Sequence, residues 1–188
     1  MGTRTVFALI AVLGLGGAIA LKVLAPAAMP GGSGAAVAGN PAWTEVSWPF
    51  LMDQWGKGKA FRCKAADCGA DVDLYIRAKI GFCNCTTGVA DDEELERVAD
   101  VSLLDDHYKA LAAGRPIVVG RMKGRSRPYT LARDASGRVL AFAFNERCDV
   151  IVATAVVAKE QPAALEPAVL AFLNGDTVMH WAEVTLGL

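Results

Sequence analysis

The sequence has little of what catalysis usually requires. It contains two histidines, His107 and His180, and no serine-nucleophile elbow, phosphate loop, dinucleotide fingerprint or metalloprotease motif. His180 lies between apolar neighbours on a predicted helix, and His107 follows two aspartates on a predicted solvated face. We therefore assign no catalytic residue and predict that the protein is not an enzyme.

A strong overall charge is also absent. The chain has 19 basic and 20 acidic residues and a formal net charge of −1, so no global field favours nucleic acid as a partner. The sequence contains no internal repeat and no C-x-x-C pair. Its 188 residues are enough for one ordinary domain with a substantial core.

One long apolar run is present, at the N-terminus. Residues 5–21 carry no charge and lie between Arg4 and Lys22. The run reaches membrane-spanning length if it continues to Met29 and the lysine extends to the headgroups. Residues 1–29 are therefore predicted to be a transmembrane anchor, or alternatively a signal segment that is cleaved at a small-residue site near Ala38. Either way, the lipid bilayer is an expected partner.

Charge around this run predicts its orientation. Arg4 and the terminal amine precede it, whereas only Lys22 follows it before Glu45. This bias places the rest of the chain outside the cytoplasm, on the periplasmic side of a bacterial membrane, where disulfides persist. Residues 30–42 are rich in Gly, Ala and Pro and are predicted to be a flexible linker. Residues 43–188 then form a single extracytoplasmic domain.

The clearest strand of that domain is predicted after residue 71. Its apolar side chains alternate with polar ones, which is typical of a half-buried strand. The predicted inner face holds Val72, Leu74, Ile76, Ala78, Ile80 and Phe82. The other face holds Asp73, Tyr75, Arg77, Lys79 and Gly81.

The remaining pattern predicts an α+β fold. Further strands are expected at 58–62, 117–119, 129–131, 139–144 and 150–157, with turns at 124–126, 135–137 and 145–147. Helices are expected at 47–56, 91–100, 103–113 and 160–174, followed by a last one capped by Asp176. Short connections favour an antiparallel sheet of five or six strands with packed helices. The strand at 150–157 is apolar on both faces and should be central.

The chain has five cysteines: Cys63, Cys68, Cys83, Cys85 and Cys148. Outside the cytoplasm such a set predicts disulfides, and an odd number leaves one thiol over. Chain geometry favours a Cys63–Cys68 bridge and a second bridge to Cys148 from either Cys83 or Cys85. The remaining thiol should lie beside Arg77 and Lys79, two cations that would lower its pKa.

A metal site is the alternative interpretation of the same residues. Cys63 and Cys68 precede the predicted strand and Cys83 and Cys85 follow it, an arrangement that could bind zinc or copper as a knuckle. The spacing is looser than paired C-x-x-C. A redox-active thiol is a further alternative.

Charge is segregated along the middle of the chain. An acidic stretch at 91–106 is followed by a basic one, which includes Arg121, Lys123, Arg125 and Arg127. We interpret the basic stretch as the tip of a hairpin. It is either a solvated turn or a surface that contacts anionic headgroups or an acidic partner.

Together these features predict a membrane-tethered extracytoplasmic binding or structural module. It would be stabilised by its cysteines, need no cofactor, and contact another envelope component such as a protein partner. The alternative is a metal-handling or thiol-redox protein of the same compartment that depends on its cysteines and holds zinc or copper.

Overall fold

The computed structural model describes residues 42–133, 137–158 and 162–188. These residues form an α+β fold built on an eight-stranded antiparallel sheet. The predicted anchor at 1–29 and nearly all of the predicted linker at 30–42 lie outside the described residues. Within the described ranges, no helix is both long and apolar enough to cross a membrane.

The strands follow the order β1-β2-β3-β8-β7-β6-β4 across the sheet, and β5 pairs with β6 beside β4. Every pairing is antiparallel. The bounds are β1 Trp43–Val46, β2 Lys59–Cys63, β3 Val72–Lys79, β4 Tyr108–Ala110, β5 Arg115–Val119, β6 Met122–Leu131, β7 Gly137–Glu146 and β8 Asp149–Ala158. Two of these strands, β1 and β4, are not predicted from the sequence.

In the described ranges, four helices accompany the sheet: α1 Ala65–Cys68, α2 Asp92–Val98, α3 Pro162–Leu173 and α4 Asp176–Leu186. The Asp91 side chain caps the N-terminus of α2 by accepting a hydrogen bond from the Glu94 N–H at 2.8 Å. For α4 the predicted cap is wrong. Gly175 is the N-cap residue and Asp176 lies within the first turn.

β8 lies at the centre of the sheet, as its apolar character predicts. It pairs with β3 on one side and β7 on the other. On one sheet face, α3 and α4 cover the main core, which includes Leu74, Phe142, Phe144, Ile151, Leu173 and Val178. On the other face, α2 and the segment at 82–89 cover Ala143, Val150 and Val152. Both faces of the central strands are therefore buried, which explains the continuous apolar run of β8.

The segment at 47–56 differs from its predicted helix. It runs without helix along the second face of β3, where the Trp48 ring lies edge-on to Tyr75 and the Trp55 ring packs on Phe82. Leu51 and Met52 are 92% and 71% exposed, so these two apolar side chains do not contribute to the core. The aromatic rings gain more contact by spreading along the strand than a single helical turn would allow.

Two further predictions are wrong. The helix expected at 103–113 is replaced by a 3-10 turn, Val101–Leu103, and by β4, because Tyr108–Ala110 pairs with the free edge of β6. The turn expected at 124–126 lies inside the ten-residue strand β6. The actual turn is at 120–121, where Gly120 has a φ of +58°. Gly124 is a strand residue at which an added Cβ would collide with the Ala143 carbonyl of β7.

Candidate functional site

The cysteines separate into two groups at opposite ends of β3. Before the strand, Cys63 and Cys68 form the predicted disulfide, with Cα atoms 6.0 Å apart. After the strand, Cys85 is bonded to Cys148, with Cα atoms 4.2 Å apart. The eight residues of β3 span roughly 26 Å at 3.3 Å per residue. The predicted framework of disulfides is therefore present in the structure.

This division leaves no support for the predicted zinc or copper knuckle. The sulfur atoms of Cys63, Cys68 and Cys85 are held in two disulfides, and the two groups lie at different ends of the strand. Among the described residues, no cluster of three or more His, Cys, Asp or Glu side chains could hold a metal ion.

All five cysteines lie in the described ranges, and Cys83 is the one that carries a free thiol. It is 6% exposed, and its Sγ lies 3.2 Å from the Arg147 carbonyl oxygen, to which the thiol donates. Burial, together with the negative charges of Glu94 and Asp149, raises the pKa of the Cys83 thiol to about 11. The pKa shift is thus opposite to the one predicted from neighbouring cations.

Arg77 and Lys79 do not activate this thiol because they are occupied elsewhere. Both are about 4% exposed under the segment at 47–56. Arg77 donates two hydrogen bonds to the Asp100 carboxylate, one from Nε and one from Nη2, the latter at 2.7 Å. It also donates from Nη1 to Asp53 at 2.7 Å. Lys79 Nζ lies 2.7 Å from Asp100 Oδ1 and donates to the Val98 carbonyl at 2.6 Å. We call these four charged residues the β3 ion cluster.

The β3 ion cluster has equal numbers of cations and carboxylates. Burial disfavours both cations, but the hydrogen bonds to Asp100 and Asp53 outweigh it and raise the pKa of Arg77. For Lys79, burial prevails and lowers the pKa, although Asp100 opposes the shift. The two carboxylates compensate the burial of two positive charges, and Asp100 is the carboxylate that both cations contact.

The basic stretch is likewise mostly engaged within the fold. Arg125 and Arg127 extend from β6, rather than from a hairpin tip, and are only 18% and 17% exposed. Arg125 Nη2 lies 2.6 Å from Asp92 Oδ1, and Arg127 Nη1 lies 2.8 Å from Glu96 Oε1. The acidic and basic stretches of the sequence therefore neutralise each other between α2 and β6, which removes two of the four predicted surface cations.

The other two cations remain on the surface, beside the Cys85–Cys148 bridge. Two depressions of about 280 Å³ each adjoin there and share Thr87, Lys123 and Asn145. We call the combined surface the Lys123 groove. One half is polar and includes Cys85, Arg121 and Arg147 among its lining residues. The other half is apolar and is lined partly by Val89, Pro116, Ile117 and Val118.

The polar half of the Lys123 groove has an excess of positive charge. Arg121 lies 3.7 Å from Glu146, a loose and exposed pair. Lys123 and Arg147 are exposed and form no ion pair within the described part of the chain. Sequence reasoning missed Arg147 because it was assigned only to a turn. Its φ of +52°, in a two-residue connection between β7 and β8, directs the backbone so that its carbonyl meets Cys83.

The loop that lines the groove is held by its own hydrogen bonds. Asn84 Oδ1 accepts from the backbone N–H groups of Thr86 and Thr87. Asn145 Oδ1 accepts from the Val89 N–H at 2.9 Å, which ties the loop to the end of β7. These hydrogen bonds fix the loop, and the cations of the groove lie on β6 (Lys123), in the turn before it (Arg121) and in the connection between β7 and β8 (Arg147).

A second depression lies at the β4–β6 edge. It has a volume of about 540 Å³ and is lined by residues that include Glu96, His107, Tyr108 and Lys109. Its charged groups carry both signs and are all on the rim of an open surface.

Comparison with known proteins adds no further assignment. No known protein family and no curated protein matches this chain. Its function must therefore be inferred from the site itself.

The β3 ion cluster gives a first prediction. Asp100→Ala leaves two buried cations with a single partly exposed carboxylate, so we expect it to lower the free energy of unfolding by about 3–5 kcal/mol. Asp73→Ala removes the partner of the exposed Arg62 and should cost less than about 1 kcal/mol. Urea unfolding followed by tryptophan fluorescence measures both. Equal losses would contradict the central role of Asp100.

Asp92 gives a second prediction, on pH dependence. The Gly114 N–H and the nearby arginines hold the pKa of Asp92 below its ordinary value of 3.8. Its folded pKa is therefore lower than its unfolded pKa, so its stabilisation is complete above about pH 4 and is lost as the pH falls through the folded value. Asp92→Asn should lower the free energy of unfolding at neutral pH. In the variant, this free energy should also decline less as the pH falls. Asp106→Asn, at an exposed position, is the control and should leave the acid limb unchanged.

Proposed function

We propose that this protein is a membrane-tethered, extracytoplasmic binding module that docks an acidic segment of another envelope protein in the Lys123 groove. The observation that carries the proposal is the composition of this groove. In its polar half, Lys123 and Arg147 form no ion pair among the described residues, and in its apolar half Val118 is 59% exposed. Carboxylates and short apolar side chains on one peptide would complement the two halves.

Internal pairing makes this groove the favoured part of the basic stretch. Arg125 and Arg127 already form ion pairs with Asp92 and Glu96 of α2. A partner that recruited these arginines would have to break those ion pairs. Lys123 forms no ion pair among the described residues, and Arg121 makes only a loose one with Glu146 at 3.7 Å, so recruiting these two cations disturbs less of the fold. The binding surface is therefore smaller than the sequence predicts, and it is displaced toward the Cys85–Cys148 bridge.

The compartment is supported by independent features. Two disulfides are compatible with an oxidising environment outside the cytoplasm. The apolar run at 5–21 and the charge bias around it favour a tether with the folded part exported. A tethered module of this kind searches a thin layer near the bilayer, where partners of the same membrane are concentrated.

Binding is tested with the full chain reconstituted in neutral nanodiscs. The probes are two fluorescent peptides, one of alternating Glu and Val and one of alternating Lys and Val. We expect the acidic peptide to bind and its affinity to fall with added salt. Lys123→Glu should weaken this binding roughly tenfold, which is about 1.4 kcal/mol.

The matched control is Lys57→Glu, which reverses an exposed lysine outside the groove and should leave binding unchanged. Vesicles of phosphatidylglycerol test the headgroup interpretation in parallel. Equal binding of both peptides, or an unchanged affinity of the Lys123→Glu protein, would reject the groove as an acidic-segment site. Binding to vesicles but not to peptide would assign the surface to lipid instead.

Topology gives a separate prediction. A reporter that is active only after export, fused behind Leu188 in a bacterial host, should be active. One that is active only in the cytoplasm should be silent at the same position. The charges around the apolar run are the reason for this expectation. The opposite pattern would overturn the extracytoplasmic placement.

A further inference from the structure

Three cysteines lie close together along the backbone where β3 ends. The Cys85–Cys148 disulfide links the loop after β3 to the start of β8, and the free thiol of Cys83 lies two residues before that bridge. The Cys83 N–H donates to the Cys148 carbonyl at 3.0 Å, and the Cys83 thiol donates to the carbonyl of the preceding residue, Arg147, at 3.2 Å. Cys83 is thus a backbone neighbour of the cysteine to which Cys85 is bonded.

This backbone relation meets the requirement for a second possible bridge. Cys83 N and Cys148 O are 3.0 Å apart, and each Cα lies only one or two covalent bonds from the bonded atom, so the two Cα atoms are no more than about 7 Å apart. Disulfides form over Cα separations of roughly 4.4–6.8 Å. Cys83 and Cys85 are therefore both within bonding reach of Cys148, and the chain need not unfold to change partners.

We propose that Cys83 and Cys85 exchange as partners of Cys148, so that the protein has two disulfide isomers. In the forward step, the Cys83 thiol loses its proton to solvent and its sulfur attacks Cys148 Sγ. The Cys83–Cys148 bond forms, the Cys85–Cys148 bond breaks, and Cys85 leaves as a thiolate. One disulfide replaces another, so the step needs no oxidant or reductant.

The exchange moves the free thiol from an inert place to a reactive one. Cys83 is buried among apolar side chains of the core. Cys85 is exposed and lines the polar half of the Lys123 groove with Arg121, Lys123 and Arg147. Nearby cations lower the pKa of a thiol and raise its thiolate fraction. The isomer with free Cys85 would therefore present a nucleophile suited to negatively charged disulfides.

The surroundings of Cys83 set the pH dependence of the exchange. Glu94 and Arg97 face it from α2 and Asp149 faces it from β8, and together with burial they leave its pKa at about 11. Little thiolate is present near neutral pH, so exchange should be slow there. Its rate should rise about tenfold per pH unit up to that pKa.

Mapping of the free thiol tests the proposal on the full chain. Protein is held at about pH 7 or pH 9.5, quenched with acid, denatured, and labelled with N-ethylmaleimide at mildly acidic pH. Peptides of the unreduced protein then show which cysteine carries the label. We expect the label to move from Cys83 toward Cys85 with time, much faster at the higher pH. Label that stays on Cys83 at every pH and time would overturn the proposal.

Two variants fix the isomers. Cys85→Ser should form the Cys83–Cys148 bridge quantitatively while keeping the native near-ultraviolet circular dichroism. Cys83→Ala should keep the Cys85–Cys148 bridge and show no labelled cysteine at any pH. A folded Cys85→Ser protein that retains two free thiols would show that the backbone does not allow the second bridge.

Reactivity of the released thiol is the last readout. After exchange, Cys85 should react faster with the dianionic reagent dithiobis(nitrobenzoate) than with neutral dithiodipyridine, and Lys123→Glu should remove this preference, whereas Lys57→Glu should not. Equal rates with both reagents would reject the anionic preference of the site. Because these experiments follow sulfur connectivity and small reagents, they are independent of whether the groove binds an acidic peptide.

Discussion

Desolvation of two cations on β3 constrains the whole second face of the sheet. The strand pairs on both sides, so Arg77 and Lys79 cannot reach water along the sheet. Buried charges of this kind are tolerated only with partners and further hydrogen bonds. Asp100, at the end of α2, and Asp53, in the segment at 47–56, supply the partners. The positions of both covering elements are thereby linked to one strand.

Ion pairs also position α2 on the side that faces β6. Its first turn contacts Arg125 through Asp92, and the following turn contacts Arg127 through Glu96. The helix has only seven residues, too few to be stable alone in water. Its stability comes from Leu95 and Val98 against the sheet and from these ion pairs. The acidic character of the sequence around it is therefore a packing feature as much as a surface one.

Much of the sheet could be predicted from the sequence, because period-two patterns and turn residues are local signals. The central place of β8 follows from its two apolar faces, and the disulfide Cys63–Cys68 follows from its short loop. The choice between Cys83 and Cys85 could not be made, since the two lie at nearly the same distance along the chain from Cys148. The buried state of Arg77 could not be foreseen either. It depends on Asp53 and Asp100, which lie 24 and 23 residues away in the chain.

The missed helices have a common physical cause. Segments 47–56 and 103–113 carry apolar residues at helical spacing. In the folded protein, however, contacts with neighbouring strands stabilise these segments more than a short helix would. Tyr108–Ala110 gains strand hydrogen bonds from the edge of β6, and Trp48 and Trp55 gain aromatic neighbours along β3. Gly124 was assigned to a turn for its residue type alone. Its actual role is to let β6 approach the β7 backbone.

The pairing of β3 with β8 has a consequence for when the sheet can form. The two strands meet at the middle of the sheet, yet β8 is made only after all the other strands that the structure describes, and Cys148 directly precedes it. Contacts this distant in sequence form slowly, because a long loop must close before they can stabilise the fold. The centre of the sheet therefore cannot be completed until the last of these strands has been synthesised, however early the others are made.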